Sequence, residues 1–233
     1  MDRLLFGDNQ FFGVNHMSEE KARAQAMRFQ SLDTIMSVLD AAHDVGIRTF
    51  MCTTHDRIAD VVDRMRSEPS HYQGRAFYPC MPYAHKYANA MAESGVFGAI
   101  KQFLPDGGFL DAAMRGGKSF AGKDVEGMIT LLIDAEMSMF DGMDTPVIFL
   151  QNVVVDFLLG MGFTEAFRIF SDYVSTKFKA EPGFITMNMP RLLDALDAVG
   201  VDNPIVCSNI NKIGFRMSGG IDVYLDALHN RKF

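Results

Sequence analysis

Tryptophan is absent from the 233 residues and cysteine occurs only three times. Cys52, Cys80 and Cys207 are odd in number, far apart and form no CxxC pair. A disulfide framework and a cysteine-based zinc site are therefore not expected. Each lies in or beside an apolar run and reads as a core thiol. Positive charge is also scarce: 22 Lys and Arg stand against 29 Asp and Glu, a net −7, with no basic stripe. That balance argues against nucleic acid or an anionic membrane surface as partner. No apolar run reaches the roughly 18 residues of a membrane span. The opening "MDRLLFGDNQFFG" is too short in apolar residues for a signal peptide. The expectation is a cytoplasmic protein with a small-molecule substrate and no membrane or nucleic-acid partner. Three motifs are missing as well. "FGDNQFFG" is not a GxGxxG fingerprint, "RGGKS" has Ala112 where a phosphate loop needs glycine, and no HExxH occurs.

What is present follows one grammar, in which a helix ends at glycine and a short apolar strand runs into a polar loop. "SLDTIMSVLDAAHDVG" puts Leu32, Ile35, Met36, Leu39 and Ala42 on one helical face, with Ser31 as N-cap and Gly46 as stop. Apolar runs near 3–6, 47–52, 76–81, 146–150, 184–187 and 204–208 read as strands, and 96–100 as a hidden seventh. Strands apolar throughout and separated by helices imply parallel pairing with both faces covered. The expected fold is an α/β (β/α)8-type TIM barrel in one domain, 1–233, ahead of a doubly wound sheet; a count of seven strands leaves open a missed strand, a barrel incomplete at its C-terminus or a fragment. A glycine-rich insertion near 105–124 would form a loop over the site. The 17 methionines read as core filler.

In such a fold the active site is built where the strands end. Asp8 and Asn9 follow the first strand, His55 and Asp56 the second, His85 and Lys86 the third. Gln151 and Asn152 follow the fourth and Asn188 the fifth. Asn209, Asn211, Lys212 and Arg216 follow the last. Carboxamides donate and accept together, which suits hydroxyls and carbonyls. His55 and His85 are candidate acid/base groups because imidazole titrates near neutrality, and Asp8 or Asp56 is the candidate to orient one. Lys86 and Lys212 are candidate nucleophiles or electrophiles. Lys212, Arg216 and Gly219–Gly220 offer a phosphate subsite. Asp56 and Asn188 also suit helix N-caps. His16, His55, Asp56 and His85 lack metal-ligand spacing, so no metal is expected.

The strand "RLLFGD" followed by "SLDTIMSVLDAAHDVGIRTF" resembles the opening βα units of the aldo/keto reductases. The resemblance covers about the first fifty residues and implies a TIM barrel and an NADP(H) cofactor. It departs at the end of the second strand, where Met51–Asp56 contain no tyrosine, and at the third, where lysine stands no nearer than Lys86. Three functions are left open. The first is a lyase, aldolase or isomerase acting on a small polar carbonyl or sugar-like metabolite, phosphorylated or not, by acid/base or lysine chemistry. The second is an NADP(H)-dependent reductase. The third is a non-catalytic binding or assembly protein forming a homo-oligomer.

Overall fold

The computed structural model describes residues 1–83 and 122–231. Six strands form one sheet: β1 (Phe6–Gly7), β2 (Thr49–Thr53), β3 (Ala76–Met81), β4 (Val147–Leu150), β5 (Glu181–Thr186) and β6 (Ile205–Ser208). Their order is β1-β2-β3-β4-β5-β6, each strand beside its neighbour in the chain. The β1–β2, β2–β3 and β5–β6 pairs are parallel. Among the described residues the α-helices are α1 (Glu19–Arg28), α2 (Leu32–Asp44), α3 (Asp56–Ser67) and α4 (Gly122–Met137), then α5 (Asn152–Met161), α6 (Glu165–Tyr173), α7 (Met189–Ala198) and α8 (Ile221–Asn230).

The α/β class is as the sequence implies; the closed eight-stranded TIM barrel is not. Among the described residues the sheet has six strands, its order ends at β1 and β6, and no pairing joins the two. β1 offers only two residues for pairing. The physical reason is that βα alternation is a local signal, shared by open and closed sheets. Closure depends on strand number and stagger, which the alternation does not encode. The run at 96–100 and the glycine-rich stretch up to residue 121 lie outside the described residues.

Contacts gather into two compact units, Met1–Cys80 with Met137–Val147, and Met81–Glu136 with Ile148–Phe233. In the first unit a chain of phenylalanines forms the core. Phe11 meets Phe29 edge-on at 5.0 Å, Phe50 lies 6.1 Å from Phe77, and Phe77 lies 5.5 Å from Phe140. α2 buries Ile35, Met36, Leu39 and Ala42, and its Ser31 cap accepts from Thr34 N–H. α3 buries Ile58, Val61, Val62 and Met65. Arg66 closes the returning segment by donating to the carbonyls of Met139 (3.0 Å) and Asp141 (2.9 Å). In the second unit Phe184 of β5 packs against Phe167 and Phe170 of α6. Met189, Leu193, Met217, Tyr224 and Ala227 form a further cluster under α7 and α8. α6 runs into one π-helical turn, Val174–Phe178, which ends at Lys179 in a left-handed conformation (φ 55°).

Candidate functional site

In the first unit the sequence puts a carboxylate directly after β1 and a threonine at the end of β2. Parallel register aligns Phe6 with Phe50 and Gly7 with Met51, so the two ends lie side by side. Asp8 Oδ2 accepts from both the backbone N–H and the Oγ1 hydroxyl of Thr53, each at 2.7 Å. Asp8 is only 7% exposed. Burial pushes its carboxyl above the usual value, against the two Thr53 bonds and the nearby charge of His55, which pull it down.

His55 occupies the N-cap of α3. Its Nδ1 accepts the backbone N–H of Arg57 at 3.0 Å. Its ring stacks on Phe12 at 4.2 Å with a 24° tilt. The expected cap, Asp56, is instead the first helical residue and exposed, where its charge complements the helix start. Helix α3 begins one residue earlier than the hydrophobic periodicity implied, which moves the capping position back to His55. Asn9 is exposed, at the start of the 3-10 turn Asn9–Phe12. The thiol of Cys52 is pushed well up, by burial first and then by the charge of Asp8, so it is no thiolate nucleophile near neutral pH.

The raised Asp8 carboxyl has a consequence for stability. The native state holds a proton at pH values where the unfolded carboxyl, with its ordinary value of 3.8, has lost it. This contribution is complete below 3.8 and disappears as pH rises through the folded value. Stability of the wild type relative to Asp8→Asn should therefore rise on acidification through that window. Denaturant titrations of both proteins at several pH values check it; a relative loss on acidification would mean that Thr53 and His55 outweigh burial.

In the second unit the polar groups also sit at strand ends. Glu136 of α4 is 1% exposed, and its Oε2 accepts the N–H of Tyr83, two residues past β3. Gln151 caps α5 through its backbone carbonyl, without a side-chain cap, while its N–H donates to Met81 O at 2.8 Å. Asn152 is half-buried in the first position of α5. One turn on, Asp156 accepts from Thr186 Oγ1 (2.5 Å) and Met187 N–H (3.1 Å). Tyr224 of α8, fully buried, donates its hydroxyl to Met187 O (2.7 Å) and accepts from Met189 N–H (3.1 Å). Ser218 N–H also donates to Met187 O at 2.8 Å. The expected side-chain cap by Asn188 is not made: Asn188 holds the N-cap position with a half-buried, uncapping carboxamide. Its own N–H donates to Thr186 Oγ1.

After β6, Asn209 is exposed. Asn211 shapes its own loop: Oδ1 accepts from Ile213 and Phe215 N–H, and Nδ2 donates to Phe215 O. Lys212 is exposed in that loop, so its ammonium lacks the desolvation a Schiff-base lysine requires. Arg216 adopts φ 53° and places its guanidinium 5.4 Å from the Phe215 ring centre. His85 and Lys86 lie outside the described residues. Among the described residues no group of three or more His, Cys, Asp or Glu could hold a metal, and no helix is long and apolar enough to cross a membrane.

Four contributors escaped the sequence reading as site residues. Thr53 and Thr186 look like ordinary strand ends. Tyr224 looks like one more core position of a helix. Glu136 carried a usable signal, a carboxylate inside the apolar stretch "TLLIDAEMSMF". Comparison with known proteins finds no matching family model, no similar curated protein and no similar solved structure.

Proposed function

We propose that the chain is an enzyme acting on a small polar carbonyl or sugar-like metabolite by proton transfer, of isomerase or lyase type. One observation carries this reading: a buried carboxylate with raised proton affinity, Asp8, is held beside His55 at the ends of two neighbouring parallel strands. Nδ1 of His55 accepts a backbone N–H, so the neutral ring carries its proton on Nε2. Nε2–H is then the donor that polarises a substrate carbonyl. Asp8 is the base that takes the proton from the adjacent carbon, while the C–H electron pair moves into the enolate stabilised at Nε2–H. The stack on Phe12 holds the ring orientation.

Proton exchange tests this reading whatever the final product is. Small aldoses, ketoses and keto acids are incubated with the protein in deuterium oxide, and loss of the α-proton signal is followed by NMR. Wild type should catalyse exchange for at least one compound. Asp8→Asn should slow it roughly 10²–10⁴-fold, the usual scale for losing an acid/base group. His55→Ala should slow it too and also lose the α3 cap, worth about 0.5–2 kcal/mol, so its folding is checked by thermal melt. No exchange with any compound, or full exchange by Asp8→Asn, would overturn the reading.

A further inference from the structure

Two carboxylates of this chain are held by a threonine at a strand end, and they are held differently. Asp156 spreads its bonds: Oδ1 accepts from Thr186 Oγ1 and Oδ2 from Met187 N–H, so each oxygen has a partner. Asp8 takes both of its bonds on one atom. Its Oδ2 accepts the backbone N–H and the hydroxyl of Thr53, each at 2.7 Å. Its Oδ1 accepts no hydrogen bond from another residue among those described. Nor is Oδ1 sealed away. The fully buried side-chain oxygens and nitrogens without a partner, among the described residues, are Gln25 Oε1, His43 Nε2 and Arg75 Nε. The little exposure that Asp8 keeps therefore includes Oδ1.

The chemistry of the two donors decides where a proton can go. A backbone N–H only donates, and a carboxylate oxygen has two lone pairs. Both lone pairs of Oδ2 are taken by Thr53. A proton arriving there would displace a bond and leave a part-buried donor without an acceptor. A proton arriving at Oδ1 displaces nothing. Oδ2 then becomes the carbonyl oxygen of the acid and goes on accepting both bonds.

We propose that Thr53 is the positioning residue of this base: by clamping Oδ2 it fixes Asp8 Oδ1 as the atom that takes and returns the substrate proton. Its catalytic meaning rests on the proton-transfer function proposed above. In the forward step the C–H bond breaks, the proton bonds to Oδ1 and the electron pair passes into the enolate. In the return step Oδ1 gives a proton back to the enolate carbon and is a carboxylate oxygen again, so no further reactant is needed. Two bonds on one oxygen also hold the carboxyl against rotation, so the same atom is presented in both steps. The Thr53 hydroxyl has a second effect. Its bond favours the ionised form, against the burial that disfavours it. The other titratable groups facing Asp8 among the described residues are His55 and Cys52, and burial keeps the Cys52 thiol protonated near neutral pH.

Three measurements on the full chain test the clamp. The Asp8 carboxyl is titrated by 13C NMR, assigned through Asp8→Asn, with the His55 ring signals followed in the same samples to separate the two titrations. The pH dependence of deuterium exchange is recorded alongside. Thr53→Val keeps the shape and the N–H but removes the hydroxyl. Its Asp8 titration should move to higher pH, and the acid limb of exchange should move with it. On the wild-type acid limb its exchange should be about tenfold slower, the scale of one lost bond to a charged group. Thr53→Ser restores the hydroxyl without the methyl group and should return both curves toward wild type, which a packing role would not. Finally, a neutron structure of the wild type below the Asp8 midpoint should show the deuteron on Oδ1. The proposal is overturned if Thr53→Val titrates as wild type does, if Thr53→Ser fails to restore the curves, or if the deuteron lies on Oδ2. Absence of exchange by the wild type with every compound would overturn the proton-transfer function instead, while the titration and the deuteron position still decide the clamp.

Discussion

Gly183→Ala should lower the stability of this protein by about 1–3 kcal/mol, the usual cost of overpacking a core. A Cβ on Gly183 would lie 2.4 Å from Cδ1 and 2.5 Å from Cε1 of Phe149, on the neighbouring strand β4. Phe149 is itself buried, so its ring has no solvent to retreat into. Two effects oppose each other. Alanine restricts the unfolded chain more than glycine does, which on its own would stabilise by about 0.4–1 kcal/mol. The overpacking term is larger, so it wins. For a chain of this size, each kcal/mol lost should lower the melting temperature by roughly 2–4 °C. The cause is checked by a double-mutant cycle with Phe149→Leu, which shrinks the obstructing ring. The double variant should be less destabilised than the sum of the two single ones. Strict additivity would show that the ring is not what excludes the methyl group.

Tyr224→Phe should cost about 1–3 kcal/mol although it removes a single oxygen. That oxygen accepts from Met189 N–H and donates to Met187 O. Met187 O keeps its bond from Ser218. Met189 N–H has no such second partner, and Met189 is buried, so a donor is left unsatisfied away from water. A global loss is measured by denaturant unfolding. A local signature should accompany it: faster hydrogen exchange at the amides of Met187 and Met189 than at those of α3. Unchanged exchange there would mean that the loop does not depend on the tyrosine.

The legibility of this structure follows the strength of each local signal. β3, β4 and β6 lie where their apolar runs place them, within a residue. α2 and α7 follow from apolar residues at helical spacing bounded by Ser31 and Pro190. α1 escaped because "EEKARAQAMR" buries nothing and so carries no apolar stripe. α5 carries a weaker signal, because the β-branched run in "VVVDFLL" lowers its helix propensity. At the candidate sites, polar residues after strands were readable, but their roles were not. Whether Asp56 or His55 caps α3 depends on a one-residue shift of the helix start. Whether an asparagine shapes a turn, as Asn211 does, or leaves its carboxamide uncapping, as Asn188 does, depends on partners distant in sequence.

The sheet order has a bearing on how this chain is made. Among the described strands each pairs with its neighbour in the chain, so no pairing skips over another of these strands. As the chain leaves the ribosome, β2 can dock on β1 and β3 on β2 in turn, which keeps contact order low. The long pause falls between Met81 and Val147, when the outer side of β3 lacks its partner β4. During synthesis that interval is the stage at which an open strand edge is most open to mispairing, and the stage at which a chaperone would matter most.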